Sequence, residues 1–334
     1  MTAVTRDSTA RSTVAPGAAS AAASAHPGLG PGLLLALVSA LAFGTAGAVA
    51  RGLLDSGWSP GATVLVRVSI GALAVLPFGV HALRGRWVLL RRSAGVVVLY
   101  GALAVAVAQF CYFSAVQHMQ VAPALLVEYA APVVVVGWMW WRRGEKPSAL
   151  TLAGAAVAVA GLVLVLDLFS GAEVSVVGMA WALAAMVGLA GYFVISADER
   201  NGLPPMALAS GGLVVGAVLL GLLGLTGLMP MSASTADAQY ATFAVAWWVP
   251  LVVLGLVSAG FAYGTGIAAS RRLGSRLASF VALLEVLAAV GFSWWLLAEL
   301  PGAVQLAGGA LVLLGVVGVR AGERRVVRRE PLPA

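Results

Sequence analysis

Apolar residues run through this chain in long blocks, broken at near-regular intervals by short polar or charged gaps. The blocks fall at 32–50, 61–82, 94–116, 121–141, 148–166, 177–197, 206–228, 246–269, 276–297 and 302–319. Each is close to the roughly 20 apolar residues that a helical membrane crossing requires. The pattern therefore predicts an all-α integral membrane protein of ten transmembrane helices with short connections. Residues 1–31 are rich in Ala, Ser, Thr, Gly and Pro and lack periodicity, which predicts a disordered tail. Residues 320–334 read as a second, basic tail. Ala48-Val49-Ala50 resembles a signal-peptide cleavage site, but an internal repeat argues that the first block is retained.

The second half of the chain repeats the first. At an offset of 154, Gly137, Trp140, Trp141, Glu145, Pro147, Leu152, Ala153, Gly154 and Gly161 fall on Gly291, Trp294, Trp295, Glu299, Pro301, Leu306, Ala307, Gly308 and Gly315. At an offset of 144, Ala36, Ala40, Gly44, Gly47 and Pro60 fall on Ala180, Ala184, Gly188, Gly191 and Pro204, the longer 229–245 loop making up the difference. The repeats occupy 32–166 and 177–319. Five spans is an odd number, so the second copy enters the membrane from the opposite side. Two inverted five-helix repeats can rock about a shared midplane site, which is a transporter device.

Composition sharpens this picture. Of 334 residues 61% are hydrophobic and 10% charged, with a mean hydropathy of +0.98. Soluble domains are about 45–50% apolar and about 25% charged, so a water-soluble enzyme is excluded. The net charge of +7 does not point to nucleic acid. With the amino terminus inside, eighteen of the twenty Lys and Arg residues fall in inside segments, leaving only Arg51 in an outside gap and Arg67 within span two. That distribution follows the positive-inside rule and places both termini in the cytoplasm, with the protein in the inner (plasma) membrane. The single cysteine, Cys111, and the scattered His26, His81 and His118 offer no metal set, and no cofactor is expected. There is no phosphate-binding loop for ATP, so any driving force is a gradient.

The repeat resembles the drug/metabolite transporter superfamily, and in particular its EamA-like ten-span members. The resemblance rests on Pro132, Gly144-Glu145 and Leu152-Ala153-Gly154 in the first half, and on Leu284-Glu285 and Glu299 in the second. Val286 and Ala298 stand where the family commonly has proline and glycine. The resemblance implies export or import of small metabolites such as amino acids, amines, nucleobases or drugs, with export the expected direction.

Ionisable groups within the hydrocarbon cost about 2.5–3.5 kcal/mol each on insertion scales and require a reason. Arg67, Glu128 and Glu285 are three such groups. Arg67 and Glu128 enter their spans at matching depth, roughly 10 Å from the outer end at 1.5 Å per residue, which predicts an ion pair or a structural clamp. Glu285 falls near the middle of span nine, where such folds hold substrate, and makes protons a candidate second cargo. Pro132 removes the helical partner of the Glu128 carbonyl. Gln109, Tyr112, Tyr129, Trp138, Tyr263 and Thr265 lie at similar depth, although Gln109, Tyr112 and Ser114 do not share one helix face. The expected translocation set is Arg67, Gln109, Tyr112, Glu128, Tyr129, Pro132, Tyr263 and Glu285. Trp140-Trp141 and Trp294-Trp295 read as interfacial belts, and Glu145 and Glu299 as caps or gate elements. Partners are a small-molecule substrate and the lipid bilayer, with a monomer or homodimer as the assembly. The competing classes are a lipid-precursor flippase, an integral-membrane enzyme and a channel. The basic loops contain only Glu145 as an acid, which disfavours the enzyme.

Overall fold

A computed structural model describes residues 29–131, 148–165, 175–196, 202–266 and 284–327, with isolated positions 134, 137, 140, 141, 269 and 272. Helix α1 spans Leu29–Asp55, α2 Pro60–Ala82 and the short α3 Trp87–Arg92. Helix α4 runs Ala94–His118 and widens into a π-helical turn over Gly101–Val107. Then follow α5 (Val121–Glu128), α6 (Ala149–Val165), α7 (Val176–Ser196) and α8 (Pro205–Leu225). Helix α9 (Trp248–Gly266) holds a second π-helical turn over Val253–Phe261, and α10 (Leu284–Leu297) and α11 (Ala303–Val327) complete the described chain.

Helices dominate because backbone N–H and C=O groups in lipid must be satisfied within the segment. Among the described residues five helices are long and apolar enough to cross a membrane: Gly30–Asp55, Pro60–Ala82, Ala94–His118, Pro205–Leu225 and Trp248–Gly266. Four shorter apolar helices accompany them, at Ala149–Gly161, Val176–Tyr192, Leu284–Leu297 and Ala303–Gly315. Large apolar side chains face outward, with Leu73 70% and Phe78 63% exposed. That exterior suits hydrocarbon. The four paired tryptophans are more than half exposed too, from 51% at Trp140 to 78% at Trp141.

Small residues let the halves interlock, as membrane helices require. The repeat equivalence is visible as reciprocal contacts. A Cβ on Gly161 would meet the Gly308 carbonyl at 2.6 Å, and a Cβ on Gly315 would meet the Gly154 carbonyl at 2.6 Å. Each pair is the other shifted by 154 residues. Gly71 packs on Ala259 while Gly216 packs on Val105, and Gly255 packs on Ile70 while Gly101 packs on Val215. These swapped contacts relate α2 to α8 and α4 to α9 by an approximate two-fold. They also refine the register: α2 begins at Pro60 and α8 at Pro205, so Pro60 corresponds to Pro205 and not to Pro204.

Several elements differ from the sequence expectation. Helix α1 starts before residue 32 and continues past 50 to Asp55, where Arg51 Nε donates to Asp55 at 3.0 Å and its Nη1 to the Val116 carbonyl at 2.6 Å. Helix α11 continues to Val327, into the segment read as a basic tail. The fold is not purely helical, because Ala238–Gln239 and Ala244–Val245 pair as a small antiparallel ladder in the loop after α8. That loop is strapped across the ends of α1 and α2. Ser59 Oγ donates to the Pro230 carbonyl at 2.8 Å, Trp58 Nε1 to the Ser234 carbonyl at 2.8 Å, and the Tyr240 hydroxyl to the Val49 carbonyl at 2.9 Å. Trp58 and Trp247 stack with centroids 6.1 Å apart.

Candidate functional site

Arg67 sits on α2 with 2% of its surface exposed. Its Nη1 donates to Gln109 Oε1 on α4. Its Nη2 donates to both the carbonyl and the hydroxyl oxygen of Ser258 on α9, each at 3.0 Å. The guanidinium carbon lies 5.2 Å from the centroid of the Phe113 ring, within cation–π range. Only Nε is buried without a hydrogen-bond partner. A planar fork of five donors is the group that can serve an amide, a hydroxyl and a backbone carbonyl at once.

Two carboxyl groups lie in the field of this cation. Glu128 ends α5 and is 8% exposed. Glu285 stands in the first turn of α10 and accepts from the Tyr129 hydroxyl at 2.6 Å. Both carboxylates, with Tyr112 and Tyr263, are near enough to Arg67 to interact with its charge. Tyr112 packs against Phe113 at 5.7 Å, and Tyr263 meets Phe43 edge-on at 5.2 Å. One arginine, two carboxyls and three phenols thus form a polar cluster where α2, α4, α5, α9 and α10 meet. Its charged and hydrogen-bonding groups are of the kind that a small polar or charged molecule engages.

The expected set converges, with one change of partner. Arg67, Gln109, Tyr112, Glu128, Tyr129, Tyr263 and Glu285 share one cluster, while Pro132, Trp138 and Glu145 lie outside the described residues. Among the described residues no direct ion pair joins Arg67 to Glu128, because the guanidinium is held by Gln109 and Ser258. Thr265 turns away, its hydroxyl donating to the Phe261 carbonyl of its own helix at 2.8 Å. Glu299 accepts from the Val121 N–H at 3.4 Å. Burial pushes its carboxyl above the ordinary range, with that hydrogen bond and Arg51 pulling the other way. Sequence reasoning missed Ser258 and Phe113. A lone hydroxyl and a phenylalanine in apolar blocks carry no signal until their helices are packed.

Two stretches of the chain, 30–167 and 176–321, match the model of the EamA-like transporter family. The chain belongs to this family. As an EamA-like protein it is a multi-pass membrane transporter of the drug/metabolite type, and its partners are a small-molecule substrate and lipid. A solved crystal structure with 22% sequence identity aligns at a TM-score of 0.58, covering 89% of this chain and 99% of its own, so the two share the fold. Among curated proteins no sequence match is found. In this EamA-like chain the cluster lies on contacts between the matched halves: Arg67 belongs to the first and Ser258 to the second, as do Tyr129 and Glu285.

Proposed function

We propose that this protein is a secondary transporter that exports small metabolites, such as amino acids, amines or drugs, across the cytoplasmic membrane by alternating access. The observation that carries the reading is the buried cluster shared between the halves. A group held by residues of both halves changes its surroundings whenever the halves rock. In this reading ten spans form two inverted five-helix repeats at 32–166 and 177–319, and the tails 1–31 and 320–334 are cytoplasmic. Arg67, Gln109, Tyr112, Glu128, Tyr129, Pro132, Tyr263 and Glu285 line the translocation path, and Glu285 exchanges a proton during the cycle.

A toxicity-protection screen of expressing cells against amino acids, amines and drugs identifies the cargo. Transport of that cargo by everted vesicles then compares the parent with Glu285→Gln, which keeps the shape and the acceptor for Tyr129 but cannot titrate. The expected result is lost or pH-insensitive transport. Unchanged rate together with unchanged pH dependence defeats the proton role, and protection against none of the compounds defeats the exporter reading.

A further inference from the structure

The two π-helical turns occupy equivalent places in the halves. In α4 the Ala108 N–H reaches the carbonyls of Leu103 and Val105; in α9 the Ala262 N–H reaches those of Val257 and Ala259. Every one of these residues maps onto its counterpart at the offset of 154. Each wide turn is followed two residues later by a member of the cluster, Gln109 in one half and Tyr263 in the other. Each also begins beside a close glycine contact, Gly101 on Val215 and Gly255 on Ile70. A π-helical turn takes in one residue more than an α turn and interrupts the regular ladder, and such bulges recur at functional sites.

The symmetry fails at one point. With α2 and α8 in the register of Pro60 on Pro205, Arg67 corresponds to Gly212, and Ser258 corresponds to Ala104. Gly212 packs against the Tyr100 ring. The polar catch of Arg67 on Ser258 therefore exists at only one of the two matched turns. Ser258, fully buried, lies inside that turn.

We infer that the two π-helical turns are matched pivots at which α4 and α9 bend during alternating access, and that Ser258 is a positioning residue that holds Arg67 against the α9 pivot until it moves. This rests on the alternating-access reading above. A pivot needs a stretch where helical bonds interchange between partners three, four and five residues away, and both caps already show three- and five-residue bonds from one N–H. It also needs flanks packed closely enough to transmit the bend, which the glycine contacts supply.

The test reads conformation, so it needs no identified cargo. In a Cys111→Ser background, spin labels at Gln117→Cys and Asp237→Cys report the separation of α4 from the strap of the second half by pulsed electron resonance in lipid nanodiscs. The parent is expected to show two distance populations. Removing Leu256, an outward-facing residue of the α9 turn, converts that turn to regular α-helix and should leave one population in a protein with unchanged helical content. Ser258→Ala, which deletes one of the two acceptors for Nη2, should shift the ratio of populations by roughly fivefold, and Ser258→Thr should restore it. Two populations persisting without Leu256, or an unchanged ratio in Ser258→Ala, overturns the pivot while leaving the transporter reading intact. A single population in the parent likewise overturns the pivot and leaves the transporter reading to the vesicle assay. Should the Leu256 deletion fail to fold, the Ser258 pair still decides.

Discussion

Ala298 closes α10 with a φ of 55°, a left-handed conformation in which an L side chain crowds its own carbonyl. The strain lets the chain reverse, so that the Ala298 N–H bonds the Trp294 carbonyl at 3.1 Å and the Glu299 N–H the Ser293 carbonyl at 3.3 Å. Replacing Ala298 by glycine removes that crowding, worth about 1–2 kcal/mol. Glycine's extra freedom in the unfolded chain takes back about 0.4–1 kcal/mol. The methyl group is exposed, so almost no packing is lost. Ala298→Gly should therefore stabilise the protein by about 0.5–1 kcal/mol. For a chain of this size that raises the midpoint of thermal unfolding by about 1–2 °C, measurable by scanning fluorimetry of purified protein. Ala298→Val should lower it, because β-branching is least compatible with positive φ. An unchanged or lowered midpoint in Ala298→Gly would refute the reasoning, since strain would then not be what the alanine contributes.

Arg67→Gln leaves Ser258 without its cationic donor, so folded yield by size-exclusion chromatography should fall by the equivalent of about 1.5–3 kcal/mol. Arg67→Lys should not rescue it, because an ammonium lacks the planar fork. Adding Glu128→Gln to Arg67→Gln should recover part of the yield, and strictly additive losses would show that the two charges are not coupled. Glu299 has a raised pKa in the folded state, so its contribution is fully present below the ordinary carboxylate range and is lost as pH rises through the raised value. Glu299→Gln should therefore flatten the fall in thermal stability as pH rises above the ordinary range. Reporters fused after Arg92, Lys146 or Arg272 should read cytoplasmic and those within 167–176 or 229–240 external; an external signal at Arg92 would overturn the span count.

The charged members of the site were legible because Arg67, Glu128 and Glu285 each interrupt a long apolar block. Their partners were not. Depth along a helix can be counted from its end, but the choice between Glu128 and Ser258 as the partner of Arg67 depends on which helix faces α2, a property of packing. The two-fold repeat was legible from the paired tryptophans and the Glu-x-Pro spacing, whereas the swapped glycine contacts that display it required the folded chain. The π-helical turns left no mark in composition. They differ from α-helix only in which carbonyl an N–H selects, and their sequences are ordinary alanine, valine, leucine and glycine. Ala298 was visible as a departure from the family's glycine, and its positive φ now supplies the physical cost of that departure.

A machine built from two interchangeable halves would have two end states of equal free energy, and it would rest half its time in each. In the proposed cycle the strap after α8 would break that degeneracy. It ties Ser59, Trp58 and Val49 of the first half to Pro230, Ser234 and Tyr240 of the second, and the short connection from α2 to α4 has no ladder to return the favour. In the alternating-access reading proposed above, the loop would act as a counterweight. It does not choose the direction of net flow, which belongs to the concentrations on either side. In that reading it would decide which face waits for its cargo, and how often an empty carrier makes the return stroke.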